Sequence, residues 1–383
     1  MMKVEELIEA LRTLVLEELI PAEPDIEEND LIPEPLLDKL KALGMFGMTT
    51  PKQYGGLGLG MSEEVRVVFE LAYASPVFRA ALGSNNGIGA LGLINEGTAE
   101  QKQKYLPRIA TGELIASFCL TEINAGSDVA ALETTAQRDG DSYILNGTKR
   151  FITNSPRAGL YTVYARTAPK EAGTAGISAL LVERASPGLT VAEPWKTMGF
   201  RGSHSADVIF KDCRVPADAL LGGKECVGFK AAMRTLDHAR IHMAALAQGM
   251  SRRLIDEGLR YVQQRKQFGQ AIANFQLIQA MLADCETEAI AGRAMIEKVA
   301  RDKDAGQNIT KEAAASKYFC TEALGRIADR VLQMHGGIGY TKTCAVERLY
   351  RDARLLRIFE GTSQIQQIVI AREMLRGATV PRA

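Results

Sequence analysis

"FKAAMRTLDHARIHMAALAQGMSRRLIDEGLRYVQQRK" (Phe229–Lys266) contains no proline and keeps its apolar residues at helical spacing throughout, for about ten turns at 3.6 residues per turn. A helix of that length needs other helices to cover it. Two more segments of the same style follow, "FQLIQAMLADCETEAIAGRAMIEKVARDK" (Phe275–Lys303) and "TKEAAASKYFCTEALGRIADRVLQMHG" (Thr310–Gly336). Long helices joined by short loops predict an up-and-down four-helix bundle over residues 226–383.

Upstream the texture changes. Residues 113–225 hold short runs rich in Val, Ile, Thr and Tyr: "SYILNGTKRFIT" (Ser142–Thr153), "GLYTVYART", "ISALLVE" and "SADVIFKDCRVP". No segment of helix length separates them, which predicts an antiparallel sheet or small barrel, and Asn146-Gly147 reads as its hairpin turn. Residues 1–112 are helical again, with "VEELIEALRTLVLEELI" and "PEPLLDKLKALG" punctuated by Pro and Gly. The fold class is therefore α+β, mainly α: an N-terminal helical domain, a central antiparallel β domain and a C-terminal bundle.

Lys plus Arg and Asp plus Glu both number 46 in the 383 residues, so no electrostatic footprint for nucleic acid or an anionic membrane exists. Any anionic ligand must be met by local charge. The six cysteines are scattered without Cys-x-x-Cys spacing, and no apolar run reaches the length of a membrane span. With no leader-like start, these features predict a cytoplasmic protein, or a matrix protein in a mitochondriate cell, without a metal site.

Several motifs carry chemistry. "YGGLGLG" (Tyr54–Gly60) lacks a preceding strand and reads as a tight turn between helices, not a dinucleotide loop. "CLTEINAGSD" (Cys119–Asp128) is either an Asx/Gly turn or a loop whose Gly126 and Ser127 offer donors to an anion or flat heterocycle. "RFITNS" presents Thr153 at a strand end, and "RKQFGQAIANFQLIQ" (Arg265–Gln279) places a cation pair at the end of a helix broken at Gly269. "LQMHGGIGY" stops a helix at Gly336-Gly337. The arginines at 348, 351, 354 and 357 predict a solvated or subunit-facing stripe. Glu360 follows, between apolar neighbours in "RIFEGTSQ", where desolvation would raise its pKa as a general base requires; Thr362 is equally a good cap for the last helix.

In order and spacing, "CLTEINAGSD", "RFITN", "MGFRGSHSADVIFKDCRVP", "RKQFGQAIANFQLIQ", "LQMHGGIGY" and "RDARLLRIFEGTSQIQ" resemble the motif set of the acyl-CoA dehydrogenase family across essentially the whole chain. The resemblance implies α,β-dehydrogenation of an acyl-CoA thioester. Glu360 would be the α-proton base, hydride would pass to FAD N5, and electrons would go on to an electron-transfer flavoprotein. It also implies a homotetramer. The implied FAD contacts are Cys119, Leu120, Thr121, Gly126, Ser127, Phe151, Ile152, Thr153, Phe268, Phe275, Thr362 and Gln364, with Arg265, Gln276, Gln333, Met334, Gly336 and Gly337 reaching a neighbouring subunit's cofactor. Ser127, Asp237, Arg240 and Gly361 would contact substrate. An acyl-CoA oxidase, in which oxygen reoxidises the flavin, shares these motifs, although such oxidases are commonly longer; a non-catalytic scaffold of the same fold is the third reading. Phe359 departs from the Tyr that many members place before the base, and "LDHARIHMAALAQG" has no Glu to serve as the alternative base of some branches.

One charge stands apart. Between Glu70 and Glu96 the only charged residue is Arg79, and a buried cation without a partner costs several kcal/mol, of order ~5. Ser75-Pro76 reads as cap and first residue of its helix, with Gly83 and Asn86 on the same face. Glutaryl-CoA dehydrogenases look similar here, carrying an Arg at this distance before "KYLP" that binds the substrate's distal carboxylate. Arg79 is thus expected either to bind a charged acyl tail or to hold an internal pair or backbone carbonyls.

Overall fold

The computed structural model describes residues 3–377. The first helices are α1 (Val4–Leu14), α2 (Ile20–Asn29) and α3 (Glu34–Ala42). The α1 run does not stop at Pro21 but continues into α2 through a wide π turn at Val15–Leu19. That turn shifts the hydrogen-bond ladder just where Pro21 lacks a donor. Helices α4 (Met61–Leu71), α5 (Pro76–Gly83), α6 (Leu91–Glu96) and α7 (Ala99–Thr111) complete this region.

Seven strands follow: β1 (Ala116–Cys119), β2 (Thr135–Asp139), β3 (Ser142–Thr153), β4 (Leu160–Arg166), β5 (Ile177–Glu183), β6 (Leu189–Val191) and β7 (Ser205–Pro216). They form one sheet ordered β1-β4-β2-β3-β7-β6, with β5 on β4. The pairings β2–β3, β3–β7, β4–β5 and β6–β7 are antiparallel, while β1 and β2 each meet β4 in parallel.

The expected hairpin at Asn146-Gly147 is absent. β3 runs straight through that dipeptide, and the chain reverses earlier, at Gly140-Asp141, where Asp139 pairs with Ser142. Asn146-Gly147 is instead a bulge against β7, and Asn146 exchanges hydrogen bonds with Asp212 across it (2.8 and 3.1 Å). Glycine is required because a Cβ at 147 would lie 2.4 Å from the Thr134 hydroxyl.

The last third comprises α8 (Gly228–Gln264), the short hairpin β8 (Lys266–Gln267) and β9 (Gln270–Ala271), α9 (Gln276–Asp304), α10 (Thr310–His335), α11 (Ala345–Leu355) and α12 (Ser363–Gly377). Helix α8 ends at Gln264, short of the break expected at Gly269. Phe268 and Gly269, both with positive φ (50° and 80°), make the two-residue turn of a hairpin. The α8–α10 helices share one core with α1, α4 and α5, whereas the sheet has a separate core around Tyr143, Tyr161 and Phe210. All six cysteines are free. Among the described residues no helix is long and apolar enough to cross a membrane.

The arginine stripe is not uniformly solvated. Arg348 is buried and pairs with buried Glu23 of α2 (2.5 Å), which Arg253 of α8 also approaches (3.6 Å). Arg351 bonds Glu347, Glu27 and the Met198 carbonyl. These contacts clamp α11 to the N-terminal helices within one chain. Arg348→Ala is expected to cost about 3–5 kcal/mol, the usual consequence of orphaning a buried charge, tempered by Arg253. A urea midpoint lowered at constant slope would show it, and a loss under about 1 kcal/mol, typical of exposed pairs, would refute it.

Candidate active site

Glu360 lies in the turn between α11 and α12. Its φ is +53° and Gly361 follows at +90°, so two consecutive residues turn the chain back on itself and direct the carboxylate inward. Its side chain is 9% exposed, and Oε2 has no hydrogen-bond partner. The turn is fixed from both sides. Lys317 of α10 donates to the Gly361 carbonyl (2.8 Å), as does the Gln366 amide (2.9 Å). Phe359 packs edge-on against Phe200 of the β domain, with centroids 6.1 Å apart. Among the described residues the Glu360 amide has no hydrogen-bond partner. Thr362 does cap α12, accepting from the Ile365 amide (3.2 Å).

Arg79 reaches the same point from α5, whose cap is the expected one, with the Val77 amide on the Ser75 hydroxyl. The guanidinium is 8% exposed; Nη1 is 3.9 Å from Glu360 Oε1, and Nε is unpaired. Among the described residues it bonds no backbone carbonyl; it also lies 3.5 Å from His242 Nδ1. Asn86 does not join it, being tied to the Met45 and Leu82 carbonyls. Burial raises the Glu360 carboxyl above the ordinary range, while Arg79, Lys317 and Arg240 pull it back. Burial also brings Lys317 down to about 8.

Arg240 and Asp237, on α8, pair with each other (2.5 Å), and Asp237 also accepts from the Thr310 hydroxyl (2.7 Å). Arg240 Nε remains unpaired although buried. Arg240 approaches Glu360 from the bundle side closely enough to lower its pKa.

The β domain supplies the facing wall. Asn154, just past β3, donates to the Ala80 and Ala81 carbonyls and to Ser84, which binds the strand end to α5. The Arg150 amide bonds the Thr121 carbonyl (2.8 Å), and Ser117 bonds the Thr153 carbonyl (2.8 Å), so the two threonines, both half-buried, are held on neighbouring strand ends. Phe151 is 56% exposed with φ +57° and packs against Trp195. Gly126 and Ser127 are exposed, as are Gln333, Gly336, Gly337 and Gln364. The side chains of Cys119, Leu120, Ile152 and Met334 are buried in the hydrophobic cores, which leaves only their backbones to face a ligand. Arg265, Phe268 and Gln276 stand exposed on the β8–β9 hairpin and the start of α9, with Phe275 half-buried against Phe268.

Two features escaped the sequence reading. Glu122, in the loop after β1, is buried and accepts from the Glu133 and Thr134 amides and from Lys149, itself wholly buried. Although burial pushes its carboxyl up, Lys149 and these donors bring it below the ordinary range. A depressed folded pKa gives stability that is present above the unfolded value and lost as pH falls through the folded one. Lys149→Met should therefore cost about 3–5 kcal/mol near neutrality, and the deficit should shrink toward acid pH as the orphaned Glu122 takes a proton. Urea melts at two pH values would check this; a deficit that grows with acid contradicts it. The second missed feature is a cluster of buried Glu64, His238 and His242 with half-buried Lys303 behind Arg79. Its sequence signal is the four-residue spacing of two of the chain's four histidines on one helix.

Three family models match the chain: the acyl-CoA dehydrogenase N-terminal domain over residues 3–113, the middle domain over 117–213 and the C-terminal domain over 227–375. The chain belongs to the acyl-CoA dehydrogenase family. It is 43% identical over 361 residues to an acryloyl-CoA reductase (NADH) of Anaerotignum propionicum, covering 94% of this chain and 91% of that one. It is 40% identical over 352 residues to the caffeyl-CoA reductase-Etf complex subunit CarC of Acetobacterium woodii, covering 92% of each. A solved glutaryl-CoA dehydrogenase complex with glutaryl-CoA superposes with a TM-score of 0.92 at 30% identity, covering 99% of this chain and 96% of that one.

As an acyl-CoA dehydrogenase family member the protein is an FAD-dependent oxidoreductase acting on CH–CH bonds. The residues present fit that cofactor. A Cβ built on Gly126, Gly336 or Gly337 meets nothing within 4 Å, so backbone is open to close approach at all three. Phe151 and Trp195 leave an exposed aromatic surface beside Thr153 that a flat ring system would cover.

Proposed function

We propose that this acyl-CoA dehydrogenase desaturates a short acyl-CoA whose far end carries a carboxylate or strongly polar group, with Glu360 as the base and Arg79 as the anchor of that end. The observation that carries the reading is the pair itself: a buried carboxylate with one free oxygen and a buried guanidinium with a free Nε, 3.9 Å apart. A carboxylate and a guanidinium so close would normally share hydrogen bonds. Here each retains unsatisfied groups that a ligand would complete.

Bound FAD supplies an acceptor for the hydride that leaves Cβ. Everything else falls to the chain. Glu360 takes the α-proton, and the electrons of that C–H bond become the new double bond as the β-hydride departs. The thioester α-proton is too weakly acidic for a carboxylate in water, so the carbonyl oxygen needs a donor as charge builds on it. We assign this donation to the Glu360 amide, which has no partner among the described residues. Burial keeps Glu360 a stronger base than a solvated carboxylate, and exclusion of water by the acyl group strengthens the effect. Arg240, with its free Nε, binds the CoA portion near Asp237, and Ser127 approaches the pyrophosphates. Thr121, Thr153, Ser127 and the exposed Phe151 ring hold FAD in the same subunit. Arg265, Phe268, Phe275, Gln276 and the Gln333–Gly337 segment complete the site of a neighbouring copy, which accounts for the exposure of Arg265, Phe268, Gln276, Gln333, Gly336 and Gly337 in one chain. We assign a homotetramer on this basis, and an electron-transfer flavoprotein as the electron acceptor, supported by the relative named as an Etf complex subunit.

Anaerobic bleaching of the flavin by butyryl-, isobutyryl-, phenylpropionyl- and glutaryl-CoA tests the assignment. Glutaryl-CoA is expected to have the highest kcat/KM; faster bleaching by every neutral chain would overturn the tail assignment. The relatives named as reductases favour a second reading, in which the physiological direction is reduction of an enoyl-CoA. Protonated Glu360 would then deliver its proton to Cα. Turnover with reduced flavoprotein and the enoyl thioester distinguishes the two.

A further inference from the structure

Behind Arg79, on the side away from Glu360, a chain of polar groups crosses the core. Arg79 Nη2 lies 3.5 Å from His242 Nδ1; His242 Nε2 lies 2.6 Å from Glu64 Oε2; the same oxygen is 3.0 Å from His238 Nε2, off ideal hydrogen-bond geometry; and Lys303 Nζ is 3.0 Å from His238 Nδ1. Glu64, His238 and His242 are all at most 5% exposed, and the two rings are 4.7 Å apart. The protons can be placed from chemistry alone. A guanidinium and an ammonium can only donate, so both Nδ1 atoms accept. Each neutral ring then carries its hydrogen on Nε2, aimed at Glu64. Burial, followed by the positive charges of Lys303 and Arg79, holds both imidazoles well below their ordinary pKa, in agreement with neutral rings.

Glu64, His238 and His242 have the composition of a cation site, with ligand atoms within 4.8 Å of one another. The surroundings have the wrong polarity for one. A metal-bound imidazole donates its outer N–H to a carboxylate or carbonyl, but here both outer nitrogens face cations. The cluster is instead a brace. One buried carboxyl, which burial pushes well above its ordinary range, is shared by two neutral rings that each meet a cation on the far side. On its other side, the Arg79 guanidinium lies against Gly83, where a Cβ would come within 2.8 Å of Nη1. Clamped between Gly83 and His242, it has Nε free and Nη1 engaged only by the long contact to Glu360.

We infer that His242, oriented by Glu64, is a positioning residue that holds Arg79 with its free donors toward the acyl end and so sets the preference for a carboxylated thioester. This rests on the reading of Arg79 given under Proposed function.

The test uses FAD-loaded enzyme and two unsaturated thioesters that cannot reduce oxidised flavin, glutaconyl-CoA with a carboxylate and crotonyl-CoA without. Their dissociation constants are measured by calorimetry, with KM and kcat for glutaryl- and butyryl-CoA alongside. His242→Phe keeps the ring volume and removes both hydrogen bonds. It should lower the preference for glutaconyl- over crotonyl-CoA by about ten- to a hundredfold, the worth of a hydrogen bond to a charged group, and the effect on glutaryl-CoA should appear in KM more than in kcat. His242→Gln can still accept from Arg79 and donate to Glu64, and should recover most of the preference; equal loss in both variants marks a packing role and overturns the inference. If His242→Phe gives no holoenzyme, Glu64→Gln carries the test, and an unchanged preference there overturns the inference. Loss in Arg79→Leu with full preference in His242→Phe means Arg79 acts alone. No loss in Arg79→Leu defeats the reading of Arg79 itself, whatever His242 shows.

Discussion

Glu360→Gln is expected to retain yellow FAD and bind acyl-CoA while losing flavin reduction by about 10²–10⁴-fold, the range that removal of a positioned general base produces. The amide preserves the shape of the turn, and the Lys317 and Gln366 bonds to the Gly361 carbonyl do not involve the carboxylate. Only the proton acceptor is lost. In the unaltered enzyme the base must be ionised to act, so kcat/KM should rise with pH through the Glu360 pKa. Because burial outweighs the nearby cations, that limb should lie above the ordinary carboxylate range. Stopped-flow bleaching under anaerobic conditions measures both quantities. Rapid bleaching of the Gln variant by its best substrate would remove Glu360 from the mechanism, and a colourless variant would move its role to the structure of the cofactor site.

The bundle was legible because its periodicity persists through ten turns of α8 with no breaker, and helix patterns of that length survive most tertiary influences. The β domain was legible as texture but not in detail. Asn-Gly is a strong turn signal, yet at 146–147 the glycine answers a different need, the approach of Thr134, and Gly140-Asp141 makes the turn. Nothing local distinguishes the two uses. Glu360 was legible as an acid between apolar neighbours beside a glycine. That Arg79 closes on it from the opposite end of the chain was not, because that contact exists only once α5 packs between the β domain and α8. The arginine stripe shows the same limit. Its period suggested a solvated face, but Glu23 in α2 buries Arg348, and an acid in a helix containing two prolines announces nothing of the kind. Lys149 and Glu122 look like ordinary surface charges until the sheet encloses them.

Arg79→Leu is expected to lower the ratio of kcat/KM for glutaryl-CoA over butyryl-CoA by about 30- to 4,000-fold, since removing one partner of a buried charge pair costs about 2–5 kcal/mol at roughly 1.4 kcal/mol per tenfold. Leucine fills part of the volume beside Gly83 without a donor, so a tail carboxylate entering the pocket would be buried without a counter-charge, the costly case. The same substitution removes the strongest of the charges that lower the Glu360 pKa. The acid limb of kcat/KM for butyryl-CoA should therefore shift to higher pH in Arg79→Leu, with no such shift in Arg79→Lys, which keeps the charge. The two readouts separate two functions of one residue. A changed substrate ratio with an unmoved limb would mean that Arg79 meets the acyl tail but does not influence the base. A moved limb with an unchanged ratio would leave Arg79 as the counter-ion of Glu360 alone, and the tail of the true substrate would then be neutral.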